Sequence, residues 1–470
     1  MIAPGTRVHF IGIGGAGMSA IASVLLARGY PVSGSDLRES EVTRRLRAAG
    51  ARIQIGHAPE HVTAGQVVVI SRAVPDENVE IQQALAQGLP IMHRAQMLAA
   101  LMEGARGIAV VGTHGKTTTT SMTALVLERA GRDPTVLIGG EVEDFGGNAR
   151  AGIGTDLIAE VDESDGSLLW ITPKIAVVTS LDATDHLDFY GSEARLVETF
   201  RMFLGALPHD GFAAICSDAP VGRELAAHAR PRVVTYGLDA GAGYAARILE
   251  MAGRRTVFEA RRAGLMLGRV TLDVPGRYNV QNALGALAVG TEMDVPFQVC
   301  ADALASFHGV QRRFTMRGEV AGVLVVDDYA HNPTKVGALL QGARECWPGA
   351  RIIAVFQPHR YTRTRTVGEQ FGAAFDCADE VILTDIYPAD EAPIPGVDAG
   401  IVARAIGGRR PVRFIADAGD VAAVLEEEVR PGDLVLTIGA GDVSKVADEL
   451  VVRLKRRAAE RPRASGNAGG

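Results

Sequence analysis

The nonapeptide GTHGKTTTT at 112–120 holds the residues best suited to chemistry in this chain. It follows the apolar run Ile108, Ala109, Val110, Val111 and opens a stretch of helical period with Met122, Leu125, Val126 and Leu127. Strand, glycine-bearing turn, Lys-Thr and helix make a phosphate cradle. Backbone N–H groups and the helix N-terminus face the anion, the Lys116 ammonium reaches the outer phosphates, and the Thr117 hydroxyl can ligate Mg²⁺. Gly112, Thr113, Gly115, Lys116, Thr117 and Thr118 are therefore the candidate triphosphate-binding residues. The spacing departs from G-x4-G-K-[ST], because Val110 stands where the first glycine belongs. A plain turn with a solvated lysine is the bland alternative. Only five of the 48 basic residues are lysine, which weighs against accident at this position.

Two acidic segments come next. A strand at 155–161 delivers Glu160 at its carboxyl end, with Asp162, Glu163 and Asp165 just beyond. A strand at 175–179 runs into Ser180, Asp182, Asp185, His186 and Asp188. Parallel strands would bring both ends to the edge that carries the phosphate loop, where hard carboxylate oxygens can complete an Mg²⁺ shell. Thr117, Glu160 and His186 are the metal candidates, although His186 reads equally as a hydrogen-bonding loop histidine. Further on, Asn279 and Asn282 share a helical face and offer amides suited to an adenine edge, or Asn279 caps the helix expected at 283–289.

Glycines recur before a helix expected near Met18. GIGGAG (12–17) follows an apolar strand, and Asp36 comes about twenty residues later, as in dinucleotide-binding folds. The glycines specify only a diphosphate against a helix N-terminus, which UDP, FAD or NAD could supply. Gly14, Gly15, Ala16, Gly17, Asp36 and Ser71, the last in a turn after the strand 67–70, are the candidates here. Two further clusters, DDYAHNPT (327–334) and FQPHRYTRTR (356–365), each follow an apolar strand. Their guanidinium groups suit bidentate grip on carboxylate or phosphate, with solvated arginines as the alternative.

The elements that must position these residues alternate strand and helix almost throughout, the pattern of consecutive βαβ units. Three α/β domains are expected: a Rossmann-like one at 1–104, a central P-loop-type ATPase domain with a parallel sheet at 105–312, and a Rossmann-like one at 313–456. Residues 457–470 read as a disordered tail. The first block should hold strands at 7–13, 31–34, 51–55, 67–70 and 90–92. The second adds 107–111, 155–161, 175–179, 211–215 and a β-rich stretch near 232–275. The third adds 323–326, 351–356, 380–384, 412–415 and 433–438. A formal net charge of −7 argues against nucleic acid as a partner. No apolar run is long enough for a membrane span and no basic-then-apolar leader opens the chain, so a cytoplasmic address is expected. The four cysteines lie far apart and read as buried small apolar residues rather than zinc or disulfide partners.

HFIGIGGAGMSAIA (9–22), GTHGKTTTT (112–120), AEVDESDGS (159–167), DHLD (185–188), GRYNVQNAL (276–284), RRF (312–314), VDDYAHNPT (326–334), FQPHRYTRTR (356–365) and DIYPADEAP (385–393) together resemble the Mur ligase family, in that family's order and over roughly residues 8–450. The last four segments most resemble the member that joins L-alanine to the lactoyl carboxylate of UDP-N-acetylmuramate with ATP. The resemblance implies a UDP-sugar domain, an ATPase domain and an amino-acid domain, with Mg²⁺ as cofactor and a monomer or weak homodimer as the assembly. Matching positions put Lys116 on the phosphates, Thr117 and Glu160 on one Mg²⁺, and Glu160 with His186 near a second. They put Asn279 and Asn282 at adenine, Tyr329, His359, Arg360 and Arg363 at the alanine end, and His331 beside the reacting groups. Lys116, His331 and Arg360 are the expected catalytic residues.

The chain departs from the family where Ser180 replaces an asparagine, Tyr278 a histidine and Arg72 a serine, and the loop 180–186 is one residue longer. The carbamoylated lysine of sister ligases has no counterpart, since no lysine lies between Lys174 and Lys335. Three other readings stand beside this one: a ligase that attaches a recycled tripeptide to the same sugar nucleotide, an NAD(P)-dependent oxidoreductase built on GIGGAG and Asp36, and a non-catalytic ATP-driven binding module.

Overall fold

Apolar runs of four to six residues, buried on both faces, dictate parallel sheets covered by helices. The computed structural model describes residues 2–182, 187–230 and 232–460. Five strands, β1 (Arg7–Ile11), β2 (Val32–Asp36), β3 (Arg52–Ile55), β4 (Gln66–Ile70) and β5 (Ile91–His93), form a wholly parallel sheet in the order β3-β2-β1-β4-β5. That order reverses direction at β1, which places the GIGGAG turn at the topological switch point.

The central sheet comprises β6 (Arg106–Val111), β7 (Thr135–Val142), β8 (Gly147–Arg150), β9 (Asp156–Glu160), β10 (Ile175–Val178), β11 (Phe212–Cys216), β12 (Arg232–Gly237), β13 (Tyr244–Ala252), β14 (Arg255–Arg262) and β15 (Leu265–Leu272). Their order is β15-β14-β13-β12-β11-β10-β6-β9-β7-β8, with β6 parallel to both β9 and β10. The third sheet runs β16 (Thr315–Val320), β17 (Val323–Asp328), β21 (Asp433–Ile438), β18 (Arg351–Phe356), β19 (Glu380–Leu383), β20 (Val412–Phe414). Only β16 in it is antiparallel to its neighbour.

The expected strands are present to within two residues at either end, and β7, β8 and β16 were not anticipated. Glycines at 139, 140, 146 and 147 punctuate the β7–β8 pair, and glycines in a strand normally weaken its signal. The helix after GIGGAG begins at Ala16, two residues before the expected start. The last helix, Ser444–Glu460, runs four residues into the segment read as disordered. Val446, Leu450, Val451 and Leu454 are buried along one face of it, and Arg453 and Arg457 reach Glu426, so packing carries the helix past the point where composition alone suggested fraying.

The chain divides into two compact units. One comprises Met1–Leu249, Val257–Asp273 and Asn279–His308; the other comprises Glu250–Thr256, Val274–Tyr278 and the chain from Gly309 onward. In the first unit one apolar cluster, from Val8, Phe10 and Met97 to Ala109, Leu157 and Phe200, underlies the first and central sheets alike. In the second, separate clusters cover the two faces of the third sheet. Cys216, Cys300 and Cys346 are buried as expected, whereas Cys377 is only half-buried, and all four are free thiols.

Candidate active site

The loop after β6 is shaped by two glycines that no other residue could replace. Gly112 has φ 129° and Gly115 φ 79°; a Cβ on the first would stand 2.2 Å from Thr179 Oγ1 and on the second 2.4 Å from Asn282 Oδ1. Thr113 ties the loop down: its N–H and hydroxyl donate to the Ser180 carbonyl at 2.8 and 3.0 Å, and the Asp182 N–H donates back to its hydroxyl at 2.8 Å. Gly115 then caps the helix Lys116–Arg129, whose Thr117 and Thr118 side chains are nearly buried.

Lys116 curls over this loop. Its Nζ donates to the Gly112 carbonyl at 2.6 Å and lies 2.8 Å from Glu163 Oε2, a carboxylate with no exposure. Burial works to strip the ammonium of its proton, yet Glu163, Glu160 and Asp162 raise its pKa above the ordinary lysine value. Lys116 is therefore a fixed cation among acids. Residue types hinted at Glu163, but the sequence did not single it out as the lysine's partner.

Register aligns Glu160 with Val110, at the mouth of the phosphate loop. Its Oε2 accepts the Gly139 N–H at 2.8 Å, and a Cβ on Gly139 would sit 2.7 Å from all three carboxyl atoms. A carboxylate so placed offers the hard oxygen that a divalent cation prefers. His186, the third metal candidate, lies outside the described residues.

Asn279 lies inside the helix Arg277–Glu292, which begins six residues earlier than expected, so the capping alternative fails. Asn282 accepts the Thr119 hydroxyl at 3.2 Å and donates to Asn279 Oδ1 at 3.3 Å. The Asn pair thus meets the phosphate-loop helix, with Asn282 as its brace.

In the first sheet, Asp36 Oδ2 accepts the Gly14 N–H at 2.8 Å, and a Cβ on Gly14 would stand 2.8 Å from that oxygen. Gly15 precedes the helix Ala16–Ala27, whose Ala16 carbonyl and Ser19 hydroxyl are held by Asn148 Nδ2 of β8 at 2.8 and 2.9 Å. Ser71 accepts the Val74 N–H in a turn at the end of β4. Below the loop, Glu80 is a fully buried carboxylate bonded by Ser35 at 2.6 Å, His61 at 2.7 Å and His9 at 3.2 Å; burial opposes its ionisation, but these donors hold its pKa down at about 2. The same unit links the first and central sheets through contacts that sequence reasoning missed. Arg94 donates to Asp162 Oδ2 at 2.7 Å, His93 packs edge-on against Trp170 with centroids 4.9 Å apart, and the Arg72 guanidinium lies 4.5 Å over the Phe189 ring.

The second unit gathers Tyr329, His331, His359, Arg360 and Arg363 beyond β17 and β18. His331 and His359 have ring centroids 5.9 Å apart, and Tyr329 meets His331 edge-on at 5.2 Å. Arg312 and Arg313 lie over the Tyr329 ring at 5.1 and 5.3 Å. The sequence reading quoted that RRF segment without giving either arginine a role. Arg360 adopts φ 68°, a strained conformation for a non-glycine residue, fixed by its N–H to the Tyr387 carbonyl at 2.8 Å.

The two imidazoles are held in opposite tautomers. His331 Nδ1 faces the Tyr329 carbonyl at 2.8 Å, so it carries the proton; burial, with Lys335, Arg363 and Arg313 adding to it, pushes the ring far below the usual histidine pKa. His359 Nδ1 faces the Arg363 guanidinium at 3.1 Å and must accept; burial, Arg363 and Arg360 lower its pKa to about 4. A neutral His331 therefore presents a bare Nε2, and a neutral His359 presents Nε2–H.

Three α/β domains in chain order, Rossmann-like at either end and with a phosphate-type loop on the central sheet, define the class. Three family models match in sequence: the Mur ligase family catalytic domain at residues 7–106, the Mur ligase middle domain at 110–290 and the Mur ligase glutamate ligase domain at 312–441. A UDP-N-acetylmuramate–L-alanine ligase of Anaeromyxobacter dehalogenans is 50% identical over 96% of this chain and 98% of its own. One from a Geobacter species is 48% identical with the same coverage. The crystal structure of the UDP-N-acetylmuramate–alanine ligase of Thermotoga maritima superposes with a TM-score of 0.81 at 29% identity, covering 96% of this chain and 99% of that one. A murein peptide ligase from Psychrobacter arcticus shares the fold, with a TM-score of 0.70 at 23% identity. The chain belongs to the Mur ligase family. The oxidoreductase reading of GIGGAG and Asp36 falls with that assignment.

Proposed function

We propose that this chain joins L-alanine to the lactoyl carboxylate of UDP-N-acetylmuramate, converting ATP to ADP and phosphate, in the cytoplasmic synthesis of peptidoglycan precursor. The observation that carries the reading is the near-half identity, sustained over 96% of the chain, to enzymes named for that reaction. One chain carries all the groups used below, so a monomer or weak homodimer suffices.

A carboxylate is a poor acyl donor. The lactoyl oxygen bonds to the γ-phosphorus as the bond to ADP breaks, which gives an acyl phosphate. Lys116, fixed as a cation between the Gly112 carbonyl and Glu163, exchanges those partners for phosphate oxygens and offsets their developing charge. Thr117 and Glu160 would hold Mg²⁺, which when bound supplies further neutralisation of the phosphate oxygens. Backbone N–H groups of Gly112, Gly115 and Thr118 line the cradle, and Thr113 keeps its shape through the bonds to Ser180. Asn279 takes the adenine edge, and Asn282 keeps the loop in shape. At the first sheet, Gly14, Gly15, Ala16 and Gly17 face the UDP diphosphate at a helix start, with Asp36 and Ser71 at its uridine side.

The alanine amine then attacks the acyl carbon; a C–N bond forms, the C–O bond to phosphate breaks, and the nitrogen sheds a proton. Arg360 and Arg363 grip the alanine carboxylate, and His359 adds an Nε2–H donor beside Tyr329. The bare Nε2 of His331 accepts an amine N–H. A ring of such low basicity orients the lone pair and passes the proton on rather than retaining it.

Phosphate release from ATP, measured with UDP-N-acetylmuramate and with alanine, serine, glycine or the recycled tripeptide in turn, tests the assignment. Release that requires the sugar nucleotide and is fastest with alanine is expected. Preference for the tripeptide, or turnover indifferent to any amine, would overturn it.

A further inference from the structure

Resting on the reading of GIGGAG as the diphosphate site of the UDP-sugar, we propose that Arg94 is a positioning residue that grips this diphosphate and ties it, through Asp162, to the phosphate loop that holds ATP. Arg94 opens the helix Arg94–Met102, and its side chain is four-fifths buried. One edge of its guanidinium donates to Asp162 Oδ2 at 2.7 Å, its only hydrogen bond among the described residues. The other edge rests on the glycine loop: NH1 lies 3.3 Å from where a Cβ on Gly17 would stand. Any side chain at Gly17 would push it away.

This placement would be costly with nothing else in attendance. A guanidinium set against the first turn of the helix Ala16–Ala27 faces the positive end of the backbone dipole, and an anion between them reverses the sign of that interaction. Arginine's planar fork is made for such a bridge, with one pair of donors left for phosphate oxygens. Asp162 stands beside Glu163, whose carboxylate lies 2.8 Å from Lys116 Nζ, and the Val161 N–H before it donates to the Val110 carbonyl at 2.9 Å at the start of the phosphate loop. Two adjacent carboxylates thus hold the cation of the glycine loop and the cation of the ATP loop. A diphosphate taken by the remaining donors of Arg94 draws on the same guanidinium that holds Asp162, next to the partner of Lys116. UDP-sugar binding is then felt at the triphosphate cradle.

Titration calorimetry on the full chain with UDP and with uridine, and steady-state KM values for both nucleotide substrates, test this in Arg94→Ala, Arg94→Lys and Asp162→Asn. Arg94→Ala should weaken UDP at least tenfold, leave uridine within twofold, and raise the KM for the UDP-sugar with little change in that for ATP. Arg94→Lys should recover part of the UDP affinity, and it serves as the reporter should the alanine variant fail to fold. Asp162→Asn should weaken UDP less and raise the KM for ATP. Equal losses for UDP and uridine, or identical profiles for Arg94→Ala and Asp162→Asn, would reduce Arg94 to a tie between the two sheets and sink the inference. A wild-type chain that binds no UDP would instead overturn the reading of the glycine loop.

Discussion

Around the phosphate loop one lysine faces three carboxylates, whereas beyond β17 and β18 the arginines outnumber the acids and both imidazoles are driven neutral. In the first region Glu163, Glu160 and Asp162 keep Lys116 charged against burial. In the second, Lys335, Arg363 and Arg313 add to burial at His331, and Arg363 and Arg360 add to it at His359. Each region carries an excess of one sign, and its proposed ligand supplies the other: a metal ion beside phosphate in the first, an amino-acid carboxylate in the second. They also differ in what does the holding. The loop takes its shape from backbone turned at Gly112 and Gly115, while the rim is built of side chains set by ring contacts and by the strained backbone at Arg360.

The comparison breaks most visibly at Lys116. Lys116→Ala should lower turnover by about a thousandfold or more, since a preorganised cation at the transferring phosphoryl is lost. It should also lower stability by about 3 kcal/mol, because the buried Glu163 loses its ammonium partner at 2.8 Å. Adding Glu163→Gln should restore most of the melting temperature and none of the turnover. A single variant that melts like wild type would show that Glu163 draws its compensation from elsewhere.

Arg360→Ala probes the other plan. A bidentate grip on an exposed rim is worth roughly 1.5–3 kcal/mol, so the KM for alanine should rise about ten- to a hundredfold with stability unchanged. If the ATP dependence shifts instead, the guanidinium belongs to the phosphates.

How much of this was legible in the sequence follows the same division. The phosphate loop was readable because one short segment contains strand, glycines, lysine and helix, and β6 does end where the apolar run does. Glu160 could be picked out as the last residue of a strand, since parallel strand ends share an edge. The Lys116–Glu163 pair spans 47 residues, and Arg94–Asp162 spans 68. Neither has a local signature: one is an acid among several, the other an arginine before an ordinary helix. The capping alternative for Asn279 stayed open because the helix was expected only from 283, while it in fact starts at Arg277. The tautomers of His331 and His359 depend on a carbonyl and a guanidinium respectively, and no residue pattern records which nitrogen either one faces.

The pH dependence of the rim sharpens the contrast. His359 is depressed from 6.5 to about 4, so it is neutral in the folded chain above about pH 5, while the unfolded chain takes up its proton below about 6.5. The unfolded state then binds more protons, and this group's contribution to stability is full above pH 6.5 and declines as the pH falls toward 4. The ratio of alanine KM between His359→Gln and wild type should therefore stay constant from pH 5.5 to 8, and an inflection near 6.5 would mean that the ring titrates freely.

The smallest effect is expected where the acidic loop region meets the first sheet. Arg72 stands where the family commonly has serine, and its guanidinium lies 4.5 Å over Phe189, in the short helix Leu187–Tyr190. Arg72 is exposed, so the contact is worth only about 0.5–1 kcal/mol. Arg72→Ser should lower the melting temperature by about 1–3 °C and leave the alanine KM untouched. If the contact also steadies the loop that presents Asp182, the KM for ATP should rise a few-fold in the same variant. A variant with unaltered ATP dependence would confine Arg72 to stability and separate the acid-rich plan from the first sheet at this point, leaving Arg94 as the residue that joins them.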